Sequence, residues 1–190
     1  MKVDCPVCQG QKCMEVITLT EEIPYFGEIM ESVVICGSCG YKHTDVICLE
    51  QKDPVRYSLK VKKDRLNARV VKSQSATVSI PELGLKVEPG PKSLGYVSNI
   101  EGVIERFQGA VKTALNLFDD EESQKNATIL LENLNSVRSG DKTVEIVLED
   151  PFGQSVIAHP DASKRELLPE EIKELKTGFA TFEQSEDDSR

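Results

Sequence analysis

Two pairs of cysteines decide what the first quarter of this chain can become. Cys5-Pro-Val-Cys8 and Cys36-Gly-Ser-Cys39 are both C-x2-C pairs, and 27 residues separate them. Each turn is tightened by Pro or Gly, so both of its thiolates can face one tetrahedral ion. A hairpin that brings the two turns together completes a four-cysteine set, Cys5, Cys8, Cys36 and Cys39, for one structural Zn2+. A disulfide framework is the competing reading, and it requires an oxidising compartment. The start Met1-Lys2-Val3-Asp4-Cys5 has no apolar leader, which points instead to a soluble chain of the cytoplasm. A redox pair of the thioredoxin kind needs one C-x2-C ahead of a helix in a βαβ setting, and that setting is absent. Cys13 and Cys48 have no partner at ligand spacing and are expected to pack in strands. His43 follows Cys39 by four residues and is read as a solvent-facing strand residue, since four thiolates already close the site.

The pattern along the chain defines three stretches. Residues 1–50 read as a zinc-ribbon finger with strands near 13–20, 28–36 and 41–49 and a loop Glu21-Glu-Ile-Pro-Tyr-Phe-Gly27. A module this small buries too little surface to fold alone, so the metal must supply much of its folding free energy. Residues 51–165 read as a β domain. Tyr57, Leu59 and Val61 alternate with Arg56, Ser58, Lys60 and Lys62, and further short strands are expected at 69–71, 76–80, 85–87, 143–148 and 155–158. Between 98 and 139 the period becomes helical. Ser98-Asn-Ile-Glu101 has the form of a capping box, and Ile100, Val103, Ile104, Phe107, Val111, Ala114, Leu115 and Phe118 make one apolar stripe. Asp119 and Asp120 open a second helix, lined by Ala127, Leu130, Leu131, Leu134 and Val137 and stopped at Gly140. Strands on both sides of this antiparallel pair indicate a helical hairpin inserted in one β domain. Residues 166–190 read as a short helix starting near Pro169 and a disordered acidic tail.

Charge and missing motifs narrow the function. With 23 Lys and Arg against 32 Asp and Glu the net charge is -9, which argues against a general nucleic-acid coat. The exception is local: Gln51 to Lys72 holds eight basic and two acidic residues. This segment supports the alternative of a nucleic-acid-binding zinc ribbon, although Tyr57 is its one aromatic and base stacking needs more. The bland reading of the segment is the solvated face of edge strands. No run of 18 apolar residues marks a membrane span. No P-loop, G-x-S-x-G or H-E-x-x-H occurs, and His43 and His159 fall in different modules. Asp150-Pro-Phe-Gly153 is read as a turn rather than an acid site, so no catalytic residue is expected and the chain is read as a non-enzyme.

Several segments taken together resemble the ZPR-type zinc-finger family in its single-module form, like the archaeal members. They are Cys5-Pro-Val-Cys8, Ile23-Pro-Tyr-Phe26 with Glu28, Cys36-Gly-Ser-Cys-Gly-Tyr-Lys42, Arg69-Val-Val-Lys-Ser73, Ile80-Pro-Glu-Leu83, Ser98-Asn-Ile-Glu-Gly102 and Asp150-Pro-Phe-Gly-Gln-Ser155. The resemblance spans about residues 4–160. It implies a four-cysteine finger followed by a double-stranded β-helix, a jelly-roll-like domain, with the inserted hairpin. It also implies binding to translation elongation factor one-alpha, a GTPase, and help with that factor's folding. Large apolar side chains at a turn are typical anchors for a protein partner. Ile23, Tyr25 and Phe26, with Tyr41 of the second cysteine turn, are therefore the expected partner-binding residues.

Overall fold

A computed structural model describes residues 2–23, 27–50, 52–91, 93–117 and 120–178, and for residues 45–48 the backbone alone. The chain divides into two compact units, Met1–Lys52 and Asp53–Arg190.

The first unit is one antiparallel sheet of β1 (Lys2–Val3), β2 (Met14–Ile23), β3 (Gly27–Cys36) and β4 (Lys42–Cys48), in that spatial order. The three expected strands are present, but the hairpin is longer than the sequence suggested. Glu21, Glu22 and Ile23 pair with Ile29, Glu28 and Gly27, so strand pairing occupies much of what was read as a loop. Gly27 sits at φ +75°, a backbone state that only glycine adopts without cost. Pro24, Tyr25, Phe26 and the side chain of Cys48 lie outside the described residues.

Two sheets build the second unit. The larger has the order β12-β5-β10-β7-β8, with β5 (Val55–Val61), β7 (Thr77–Ile80), β8 (Leu85–Val87), β10 (Val144–Asp150) and β12 (Ser163–Glu166). The smaller has the order β11-β6-β9, with β6 (Arg69–Lys72), β9 (Tyr96–Asn99) and β11 (Val156–Ala158). Apart from the β7–β8 hairpin, consecutive strands change sheet, as in a jelly roll. The period-two pattern of β5 is obeyed: Val55, Leu59 and Val61 are buried. Leu59 and Val61 form one core with Val70, Val78, Ile80, Ile146, Leu148 and Ile157, to which both hairpin helices contribute.

The helices are α1 (Ile100–Leu115) and α2 (Glu121–Ser139). Glu101 meets Arg138, Gln108 meets Asn135 and Leu115 meets Gln124, which makes the pair antiparallel, as expected. The cap of α1 differs from the expected box. Asn99, not Ser98, is the N-cap, its Oδ1 accepting from the Gly102 N–H at 2.8 Å. Ser98 is held in β9 by pairing with Val70, and Glu101 turns instead to Arg138. Asp120 caps α2 by accepting from the Ser123 N–H at 2.8 Å, so the helix begins at Glu121, with Asp120 its cap and not a first-turn residue, while Phe118 and Asp119 lie outside the described residues. Gly140 ends α2 at φ +90°. A last short helix, α3 (Pro169–Glu174), has Pro169 in its first turn as expected; the acidic residues 183–190 lie outside the described residues.

Candidate metal centre

The sequence builds its two cysteine turns to one pattern. The N–H of Gln9 donates to the Cys5 carbonyl at 2.9 Å, and the N–H of Gly40 donates to the Cys36 carbonyl at 3.0 Å. One residue on, the Gly10 carbonyl accepts from Cys5 N–H and the Tyr41 carbonyl from Cys36 N–H. Gln9 and Gly40 both have left-handed φ, +57° and +74°. The two turns are therefore superimposable in their hydrogen bonding, and each presents its two sulfurs on the same side.

Pairing of β2 with β3 then brings the turns together, with Met14 opposite Cys36. The Sγ atoms of Cys5, Cys8, Cys36 and Cys39 all lie within 4.8 Å of one another. Cys5 Sγ is 3.8 Å from Cys39 Sγ, and Cys8 Sγ is 3.7 Å from Cys36 Sγ. A tetrahedral zinc with Zn–S bonds of ~2.3 Å requires sulfurs ~3.8 Å apart, so the four thiols have the spacing that the ion demands. Backbone hydrogen bonding from Cys39 lowers the Cys36 thiol to about 6, against the opposing effect of burial. Cys8, despite the Gly10 backbone, is raised to about 11 by burial and its neighbouring thiols, so Cys36 is the thiolate favoured before an ion binds. Cys5 and Cys36 are buried, whereas Cys8 and Cys39 face solvent. Four thiolates leave no coordination position for a substrate, so the site is structural.

The other residues singled out in the finger are dispersed around this centre. His43 is exposed on β4, opposite Val34, and takes no part. Cys13 is half-buried and packs on the cluster, with its Sγ 3.5 Å from Cys36 Sγ and donating to the Gly10 carbonyl at 3.0 Å. Tyr41 is also half-buried and packs there, and Ile23 is half-buried at the end of β2. Ile17, Leu19 and Ile35 are exposed. The register puts Ile17 opposite Val33 and Ile35 opposite Glu15, so these side chains share one face of the sheet.

The second unit holds a polar centre that sequence reasoning missed. Asp150 is the turn residue expected, with the Gly153 N–H donating to its carbonyl at 3.2 Å, yet it is fully buried. Its Oδ1 accepts from Ser75 Oγ at 2.9 Å and from the Phe152 N–H at 3.0 Å. Its Oδ2 accepts from the Gln154 N–H at 2.9 Å and from Ser155 Oγ at 2.6 Å. This joins the end of β10 to the bend between β6 and β7. Lys72, at the end of β6, is 4% exposed, and burial lowers its ammonium to about 8. Nothing in the alternation of Arg69-Val-Val-Lys72 signals a buried cation.

The basic segment does not form one free face. Arg56 pairs with Glu149 at 3.3 Å, Arg65 pairs with Asp161, and Lys72 is buried. Lys60, Lys62, Lys63 and Arg69 remain exposed, so only part of the charge that supported a nucleic-acid reading is taken up within the fold. Among the described residues no helix is long and apolar enough to cross a membrane.

A four-thiolate zinc ribbon joined to a jelly-roll-like domain with an inserted helical hairpin defines a zinc-finger protein of a particular two-part architecture. A family model described as the ZPR1 jelly-roll domain matches residues 64–184. The chain is 41% identical over 179 residues to a ZPR1-like protein of Pyrococcus horikoshii, covering 92% of this chain and 80% of that one. It is 37% identical over 183 residues to a ZPR1-like protein of Methanocaldococcus jannaschii, covering 96% and 92%. With the zinc finger chaperone zpr1 of Schizosaccharomyces pombe it shares 33% over 147 residues, 71% of this chain and 30% of that longer protein. The chain belongs to the ZPR1 family. Its one finger and one β domain correspond to the single-module form, and the finger's cysteines hold a structural zinc ion.

Proposed function

We propose that this chain is a non-enzymatic protein-interaction module that binds translation elongation factor one-alpha and assists its folding in the cytoplasm. The observation that carries this reading is the finger itself. Its metal site is closed to substrate, while its sheet presents Ile17, Leu19 and Ile35 to solvent on one face. Exposed apolar side chains on a rigid support are what a protein partner engages. The fission yeast relative is named a chaperone, and the family resemblance supplies the GTPase as client. In this reading Ile23, Tyr25, Phe26 and Tyr41 contribute to the contact.

The test is a binding titration between the purified chain and purified elongation factor one-alpha, with zinc content followed in parallel. Tyr25→Ala with Phe26→Ala should weaken binding by about 2–4 kcal/mol, the scale of hot-spot truncations, with zinc retained. Ile17→Ser with Leu19→Ser should weaken it too, without loss of metal. Tight binding by both variants would remove the finger from the contact, and failure of the parent chain to bind would remove the GTPase as partner.

A further inference from the structure

A cavity of about 340 Å³ opens within the second unit between β8, β9 and α1. Its volume falls in the range of small-ligand sites. Two cations line it. Lys72, more than nine-tenths buried, reaches it from β6, and Arg106 reaches it from α1. Both lie near Tyr96, with the Arg106 guanidinium 4.0 Å and the Lys72 ammonium 5.9 Å from its ring centre. The remaining wall is apolar, with Val103 and Phe107 at the floor and the exposed Leu94 at the mouth.

Neither cation has a carboxylate partner within ion-pair distance among the described residues. The Lys72 ammonium donates to the Ser73 carbonyl at 2.9 Å, a neutral acceptor. Asp150 is the carboxylate whose charge it feels, but the hydrogen bonds of that carboxylate go to Ser75, Ser155 and two backbone amides. Glu88, also at the cavity, pairs with Lys86 and Lys176. A buried lysine and a second cation beside it are an expensive arrangement unless an anion completes it. Apolar walls next to the charges restrict that anion to one with an apolar body.

We propose that this cavity binds a carboxylate carried on a small apolar group, as found at the end of a peptide chain or in a free organic acid of that size. Lys72 and Arg106 would take the carboxylate and the Val103–Phe107 wall the apolar body. The proposal is independent of the GTPase reading, since it concerns a different surface and needs no macromolecular partner for its test.

The test is titration of the ¹⁵N-labelled full chain with N-acetyl-leucine, followed by amide shifts. Saturable shifts at Tyr96, Arg106 and Ala110 are expected, with N-acetyl-leucinamide, which lacks the charge, binding at least about tenfold more weakly. Arg106→Gln, a surface change, and Lys72→Met, an apolar replacement of similar length, should each lower affinity by about tenfold or more. A pentapeptide ending in a free leucine that binds more tightly than N-acetyl-leucine would assign the site to a protein carboxyl terminus. Equal affinity would assign it to a free acid. Equal shifts by acid and amide, unchanged binding in the folded Arg106→Gln variant, or saturation by inorganic phosphate without response to N-acetyl-leucine would overturn the proposal.

Discussion

The Ser155 hydroxyl donates to Asp150 Oδ2 at 2.6 Å, five residues back along the chain, and so closes the turn after β10 on itself. Ser155 Oγ in turn accepts the Ser73 N–H at 2.9 Å. One side chain thus fastens a turn in one part of the unit to the end of a strand nearly half the chain away. Ser73 Oγ lies 3.0 Å from Ser75 Oγ, which completes the circuit back to Asp150. Because the group is buried, each bond is made where no water can replace it.

Replacing Asp150 with Ala should therefore be far more damaging than an ordinary turn substitution. It removes the shared acceptor of two buried hydroxyls and two amides, and a loss of about 3 kcal/mol or more is expected. Ser155→Ala leaves the carboxylate three donors but also removes the acceptor of the buried Ser73 N–H, so it should cost about 2 kcal/mol. Denaturant unfolding of the two variants checks the order, and near-equal stabilities would contradict it.

Metal removal should act on one unit at a time. The core of the second unit is made wholly from its own strands and helices, whereas the finger's buried cluster is little more than Cys5, Met14 and Cys36. Chelation, or Cys36→Ser with Cys39→Ser, should collapse the amide dispersion of residues 1–50 and leave that of residues 53–178 in place. Acidification should release zinc in the same way, since protons compete for the thiolates. Full zinc content in the double variant would refute the ligand assignment.

The matching of the two cysteine turns makes a paired prediction. Gly40 and Gln9 fill the same left-handed position, and a methyl group added at Gly40 would meet no described atom within 4 Å. Backbone strain is then the whole effect. Gly40→Ala should weaken the zinc-bound finger by about 1 kcal/mol, and Gln9→Gly should strengthen it by up to about 1 kcal/mol. Zinc competition against a chromogenic chelator reads both, and changes of the same sign would mean that the turns are not equivalent.

A pH effect is expected at the carboxyl-terminal side of the second unit. Glu171 accepts both arms of the Arg165 guanidinium at 2.6 Å and the Leu168 N–H at 2.8 Å. Arg165 first, and then the Leu168 amide, lowers its carboxyl to about 2. A carboxylate lowered in the folded state stabilises it above the ordinary value of 4.5, and that contribution is lost as the pH falls from there toward 2. The parent should lose stability relative to Glu171→Gln across that window, with the amides of α3 exchanging faster first. A constant difference between the two proteins from pH 6 to pH 2.5 would remove Glu171 from the acid response.

The finger was the most legible part of the sequence because its chemistry is local. Two C-x2-C turns name their own ligands, and the apolar stripes from Ile100 to Val111 and at Leu134 and Val137 name their own helix faces. What escaped depends on contacts distant in sequence or on polar residues. β12 has four exposed polar residues, so no period marks it, and it is a strand only because β5 offers a free edge. Ser98 looked like a helix cap until pairing with Val70 claimed it for the sheet. The burial of Lys72 and the four bonds of Asp150 follow from β6 meeting the turn after β10, which no local pattern announces.

The register of β5 has a consequence for how the chain comes off the ribosome. Val55 pairs with Asp150 on one side and Glu166 on the other, so this strand waits unpaired until β10 has been synthesised and half-paired until β12 follows. The finger's strands and all four of its thiols, by contrast, are complete by residue 48. Closure of non-local pairs is the slow step in sheet formation, and amino-terminal units fold first during synthesis. The finger can therefore capture its ion while β5 is still an open edge, and the interval between those two events is when the nascent second unit is most exposed to aggregation.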